Sequence, residues 1–147
     1  LSKLPRRESF GYQVNHLGRL FARALDRKIQ PLGVSTGQMP TLLALFEQDG
    51  LSQKELIARV QVEQPTLANT LNRMERDGLV QRESDDQDKR SSRFFLTEKA
   101  RDIQSPLIAS ARAINALAVT GFAEQEQQQL LDLLTRMIGN LQTGGHT

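Results

Sequence analysis

Apolar positions recur at helical spacing along nearly the whole chain, interrupted by one short stretch that reads as a pair of strands. Phe10, Val14, Leu17, Phe21 and Leu25 follow one another at alternating four- and three-residue steps. That spacing makes a single stripe on a helix of about five turns at 3.6 residues each. Arg19, Arg23, Asp26 and Arg27 fall on the opposite face. Pro31-Leu32-Gly33 ends this helix, since proline cannot continue it and glycine relaxes the turn.

Ser35-Thr36-Gly37-Gln38 and Ser52-Gln53-Lys54-Glu55 both match the capping box, in which a hydroxyl and a side chain three residues on satisfy orphan N–H groups. The first predicts a helix over Met39–Gln48 with Leu42, Leu43, Leu45 and Phe46 on its apolar face. The second opens a short helix with Leu56, Ile57 and Val60. Pro65 is expected at the first position of the next helix, where a missing N–H costs nothing. There Leu67, Leu71 and Met74 form the buried face, and Gly78 stops the helix. Leu79–Glu83 and Arg93–Leu96 read as two short strands. The nine polar residues between them, Ser84 to Ser92, form an exposed connection. Thr97 caps a helix with Ile103, Leu107, Ala111 and Ile114 on one face, which Pro106 is expected to kink. A last helix is predicted from about Glu124 to Leu141, with Leu130, Leu131, Leu134, Met137, Ile138 and Leu141 inward.

The order of elements carries the functional signal. A short capped helix, a tight turn at Gln61-Val62-Glu63 and a second helix make a helix-turn-helix. Its inner face locks the two helices together and leaves the outer face of the second free for a major groove. Gln64, Thr66, Asn69, Thr70 and Arg73, behind Pro65, are assigned to that face. Amides suit adenine, Arg suits guanine, and hydroxyls suit either base edges or phosphates. Lys89 and Arg90 at the hairpin tip are expected to reach backbone phosphates or a narrow minor groove. Asp85, Asp86 and Asp88 would repel DNA if they pointed at it, so one of them, Asp88, is expected to brace an arginine.

Composition changes this picture little. The chain has 147 residues, 38% of them hydrophobic and 24% charged, no cysteine and two histidines. Disulfides, thiolate metal sites and thiol redox sensing are excluded, as is a histidine-rich metal site. A cytoplasmic location fits, and no apolar run reaches membrane-spanning length. The first residues have no signal-peptide core, and without an initiator Met further residues are expected to precede Leu1. The net charge of +2 is a weak indicator of nucleic acid. Residues 1–34 carry seven Lys/Arg against two acids, and the rest of the chain is net acidic. Placement of charge, rather than its total, has to support a groove contact. No nucleophile elbow, phosphate-binding glycine loop or metal-binding His pair occurs, so the chain reads as a non-enzyme without cofactor. The competing readings are a winged-helix module for protein contact and a small enzyme.

The stretch from about Ser35 to Ala100 resembles the MarR family of winged helix-turn-helix regulators. The resemblance rests on Gln64-Pro65-Thr66, on Leu71-Asn72-Arg73-Met74-Glu75-Arg76-Asp77-Gly78-Leu79-Val80, and on Asp85-Asp86-Gln87-Asp88-Lys89-Arg90 followed by Leu96-Thr97. Ala100 departs from the family's usual glycine, and Ala123 from a common hydroxyl cap. The resemblance implies a mainly α fold with a small β-hairpin wing. It implies an N-terminal dimerisation helix (1–34), a DNA-binding winged domain (35–97) and C-terminal dimerisation helices (98–147), the last compact with the first. It also implies a homodimer that represses transcription from a pseudo-palindromic double-stranded operator until a small aromatic or phenolic effector releases it. Tyr12, His16, Arg19 and Phe46 are the candidate lining of an effector cleft. The alternative reading of these four is a partly exposed helix histidine beside core aromatics.

Overall fold

The computed structural model describes residues 2–88 and 90–144, so Lys89 and His146 lie outside the described residues. The chain divides into two compact units, residues 1–112 and 113–147. The first unit opens with α1 (Phe10–Ile29), capped by Ser9, whose side chain accepts from the Tyr12 N–H at 3.2 Å. A short 3-10 turn, Gln30–Leu32, and Gly33 at φ 82° close it, as the Pro-Leu-Gly signal predicts. α2 follows (Met39–Glu47), then β1 (Leu51–Ser52), α3 (Gln53–Val60) and α4 (Gln64–Arg76). β2 (Val80–Ser84), β3 (Ser92–Leu96) and α5 (Glu98–Asp102) come next, and α6 (Gln104–Ala118) runs across the boundary between units.

Two corrections concern element boundaries. The helix after Thr97 does not continue through Pro106 with a kink. It stops at Ile103, and Pro106 sits in the first turn of α6, where its missing N–H would have had no intrahelical partner. Pro65 lies at the second helical position rather than the first, because Glu63 is the N-cap.

The strand pair forms as expected, with Val80 opposite Leu96 and Ser84 opposite Ser92. A third strand was not foreseen. β1 pairs antiparallel with β3, giving the order β1-β3-β2 with Leu51 opposite Phe94. Two residues are too few to show an alternating pattern. Moreover, Ser52 also caps α3, accepting from the Glu55 N–H at 3.2 Å.

The core of this unit collects Ile29, Leu42, Leu45, Leu51, Leu56, Leu67, Leu71, Met74, Leu79 and Phe94. Leu43, expected on the apolar face of α2, is exposed, whereas Thr41 and Ala44 are buried. α1 contributes chiefly its C-terminal end to this core, through Ile29 and Leu25. Its Phe10 is 77% exposed, and Val14 and Leu17 are open as well.

The second unit holds the end of α6, a turn with Gly121 at φ 84°, and α7 (Glu124–Gly144). Ala123 supplies no hydroxyl cap, but its own N–H donates to Glu126 Oε1 at 2.9 Å, the reciprocal half of a capping box. The inward assignment of the α7 leucines is wrong for the single chain. No described α7 residue is buried, and Leu131, Leu133, Ile138 and Leu141 are exposed. The spacing does make a stripe, whose described residues are at most half-buried. Among the described residues no helix is long and apolar enough to cross a membrane.

Gly50 is the residue most constrained by the sheet. It holds φ 73°, donates to the Phe94 carbonyl at 3.0 Å, and a Cβ there would meet the Phe95 ring at 2.7 Å. Gly50→Ala is therefore expected to destabilise by about 1–3 kcal/mol, through left-handed strain and ring displacement together. A urea midpoint unchanged from the parent protein would contradict this account of the turn.

Candidate nucleic-acid interface

α3 and α4 meet at a turn in which Gln61 takes the left-handed conformation, φ 58° and ψ 44°. Leu56, Leu67, Leu71 and Met74 are buried, with Ile57, Val60 and Val62 packed against them. This inner face fixes how α4 is presented. Gln64, Pro65, Thr66, Asn69 and Arg73 all stand exposed on it. Thr70 differs, being half-buried with its hydroxyl donating to the Thr66 carbonyl at 2.9 Å. At roughly 100° per residue, Asn72 and Arg76 belong to the exposed side too. Sequence reasoning passed over both, although counting helical phase from Leu67, Leu71 and Met74 would have found them.

The wing stands beside this helix, with its tip over residues 85–91. Arg90 is exposed there. Asp88, expected to brace an arginine side chain, accepts from the backbone N–H of Arg90 at 3.0 Å and so shapes the turn. The carboxylate that grips a guanidinium is Asp85, 3.2 Å from Arg93 Nε. Arg93 also reaches the Gly50 carbonyl at 2.8 Å and Glu55 at 3.3 Å, tying wing to α3. Arg82 ties it to α4, donating to Asn72 Oδ1 at 3.0 Å. Neither arginine was singled out from sequence, where each looks like an ordinary solvent-side strand residue.

Two carboxylates around this frame titrate low. Asp85 is held below its ordinary 3.8, chiefly by the Gln87 N–H and then by Arg93 and Ser91, against partial burial. Asp77, at the end of α4, is lowered chiefly by the Gln38 amide, 3.0 Å away, and by Arg76 and Lys99. The buried Gln38 thereby links the start of α2 to the end of α4, while its Oε1 accepts from the Ser35 N–H at 3.0 Å.

Of the four candidate effector residues, Tyr12 and His16 line one hollow. Tyr12 and His16 have ring centroids 6.3 Å apart and share an open hollow of about 520 Å³ with Arg6, Arg7 and Gln13. Arg19 and Phe46 are not part of its lining, and Phe46 packs against the core. Among the described residues no group of three or more His, Asp or Glu could hold a metal ion.

A half-buried helix-turn-helix, a polar exposed second helix and a braced wing define a winged-helix DNA-binding protein. Comparison with known proteins makes the class specific. Residues 32–91 match the sequence model of the MarR family. A MarR family transcriptional regulator from Silicibacter pomeroyi is 34% identical, over 95% of this chain and 97% of that one, with a TM-score of 0.75. The uncharacterized HTH-type transcriptional regulator YybA of Bacillus subtilis (strain 168) is 28% identical, over 84% of this chain and 85% of its own length. A putative MarR family regulator of Listeria monocytogenes, solved with a 26mer DNA, shares the fold at 22% identity and TM-score 0.82, over 90% of this chain and 89% of that one. The chain belongs to the MarR family: it is a DNA-binding transcriptional regulator and not an enzyme.

The low-titrating carboxylates give an acid-stability prediction. Because their folded values lie below 3.8, the stability they contribute is fully present above that pH and lost as pH falls through the folded values. Urea unfolding at stepped pH should show the parent protein losing more stability across that window than an Asp77→Asn, Asp85→Asn double variant. The double variant should be the weaker of the two at neutral pH. Equal acid dependence in both would assign the effect to other groups.

Proposed function

We propose that this protein is a homodimeric repressor that occupies a pseudo-palindromic operator and leaves it when a small effector binds. The observation carrying the DNA half is α4 itself, its apolar face fully buried while Gln64, Thr66, Asn69 and Arg73 stay exposed beside a braced wing. In this reading Gln64, Thr66, Asn69, Thr70 and Arg73 read base edges and nearby phosphates, with Pro65 setting the helix start. Arg90 and Lys89 touch the backbone or minor groove. Residues 35–97 do the reading, while 1–34 and 98–147 make the dimer.

Support for dimerisation comes from each unit separately. α1 leaves Phe10, Val14 and Leu17 uncovered, and α7 leaves Leu131, Leu133, Ile138 and Leu141 uncovered. Apolar faces of this extent mark contact surfaces, and two-fold pairing is the commonest way to cover them. Pairing also supplies two recognition helices for half-sites about 34 Å apart. The hollow at Tyr12 and His16 suits a small aromatic or phenolic acid, with a ring surface and the cations of Arg6 and Arg7 beside it. Such an effector releases DNA only if it binds one dimer geometry better than the other. The protein acts in the cytoplasm, where its operator is.

Binding-site selection from random duplex DNA, run beside a measurement of oligomeric state, tests this reading. The expected result is an enriched inverted repeat with half-sites about one helical turn apart, bound by a dimer. No enrichment even at low salt, where non-specific attraction is strongest, would turn the polar face of α4 into mere surface. With that duplex in hand, Arg73→Ala should cost about 1–3 kcal/mol of specific binding and relax the preference at one base pair. Unchanged affinity would remove Arg73 from the reading set.

A further inference from the structure

Arg82 occupies the middle of β2, opposite Phe94 of β3. Its guanidinium carbon lies 5.0 Å from the centroid of the Phe94 ring. One edge donates to Asn72 Oδ1 at 3.0 Å, and Nε sits 3.7 Å from Glu75 Oε2. A planar cation is thus held on its face by an aromatic ring and on its edges by the recognition helix. Phe94 is fully buried, so the ring is a fixed platform. Asn72 and Glu75 are one helical turn apart and share a side of α4. The contact therefore grips that helix at two successive turns rather than at one point.

From Arg82 the chain runs two residues to the end of β2 and into the wing tip that carries Arg90. The far side of the wing is tied to α3 through Arg93, Asp85 and Glu55. The wing is thus fastened to both helices of the helix-turn-helix by separate arginines, and Arg82 is the only one of the two that touches the reading helix. We propose that Arg82 is a positioning residue for DNA binding: it fixes the wing tip relative to α4, so that Arg90 meets the backbone while the outer face of α4 lies in the groove. The proposal rests on the reading that Arg90 contacts DNA. Arg82 itself is engaged on Phe94 and, through Nη2 and Nε, on Asn72 and Glu75.

A double-mutant cycle separates positioning from plain stability. The parent protein, Arg90→Ala, Arg82→Gln and the double variant are titrated against the duplex enriched by selection, at several salt concentrations. Arg90→Ala alone is expected to weaken binding by roughly five- to tenfold and to flatten the salt dependence by about one unit per phosphate lost. In the Arg82→Gln background the same change should alter affinity less than about twofold, with no further change in slope. Asn72→Ala combined with Glu75→Ala, which cuts both ties from the helix side without touching the sheet, should abolish the Arg90 effect in the same way and covers the case of an unfolded Arg82→Gln. Penalties that simply multiply in both backgrounds would overturn the proposal, since Arg82 would then act on stability or on DNA directly. If Arg90→Ala alone binds like the parent protein, the wing contact itself is lost, and positioning falls with it. That outcome is read from the single variant, so the two failures are distinguishable.

Discussion

The burial of Phe94 on the central strand is the interaction on which the rest of the DNA-binding unit depends. β3 is the strand paired on both edges, with Leu51 on one side of Phe94 and Arg82 on the other. It is the largest fully buried side chain among the described residues, and burial stabilises by about 25 cal/mol per Å² of apolar surface. Its consequences are geometric. Gly50 must be a glycine because the next residue, Phe95, leaves no room for a Cβ. Asp49 is recruited to accept from the Leu96 N–H at 2.8 Å and from Arg101 at 2.8 Å. Arg82 finds a flat, immobile platform. A two-stranded wing alone would be marginal in water, and the extra pairing with β1 turns it into part of the core.

Most of the helical framework was legible in sequence because helix periodicity survives whichever body covers the apolar face. The α4 stripe of Leu67, Leu71 and Met74 is buried as its spacing predicts. What the pattern could not reveal is where a stripe is covered. The α7 leucines have the same spacing as a core helix and lie open. Periodicity reports that a face is apolar and says nothing of which chain meets it. The break at Ile103 was missed because a proline in a long helical pattern fits a kink as well as a new first turn. β1 was missed because its two residues do double duty, pairing with β3 and capping α3.

The candidate site divides along a similar line. The exposed residues of α4 could be named because they follow from the buried ones by rotation, whereas the braces could not. Arg82 and Arg93 act on residues far away in sequence, Arg93 on Gly50, Glu55 and Asp85, and nothing local distinguishes them from solubilising strand residues. An Asp two residues before a backbone N–H, as Asp88 is before that of Arg90, more readily closes a local turn than braces a side chain. Asp85, at the mouth of the hairpin, is the one that faces Arg93. The effector residues rest on resemblance alone, and no local pattern marks them.

The same braces resolve the objection raised by charge. A wing with three aspartates on a chain of net charge +2 is poorly suited to meet phosphates by bulk attraction. Two of those acids are turned away from that role by their partners. Asp85 is neutralised by Arg93, and Asp88 spends an oxygen on the Arg90 N–H. On α4, Glu75 is offset by Arg82 and Asp77 by Arg76, with their ion-pair distances at 3.7 and 3.3 Å. Exposed pairs of this kind add little stability. Their effect is on the field: Asp85, Glu75 and Asp77 are compensated locally, while Arg73 and Arg90 have no carboxylate partner among the described residues. On the proposed reading, a surface so arranged attracts a phosphate backbone at close range while the molecule as a whole carries a net charge of only +2, so that geometry rather than long-range steering selects its contacts.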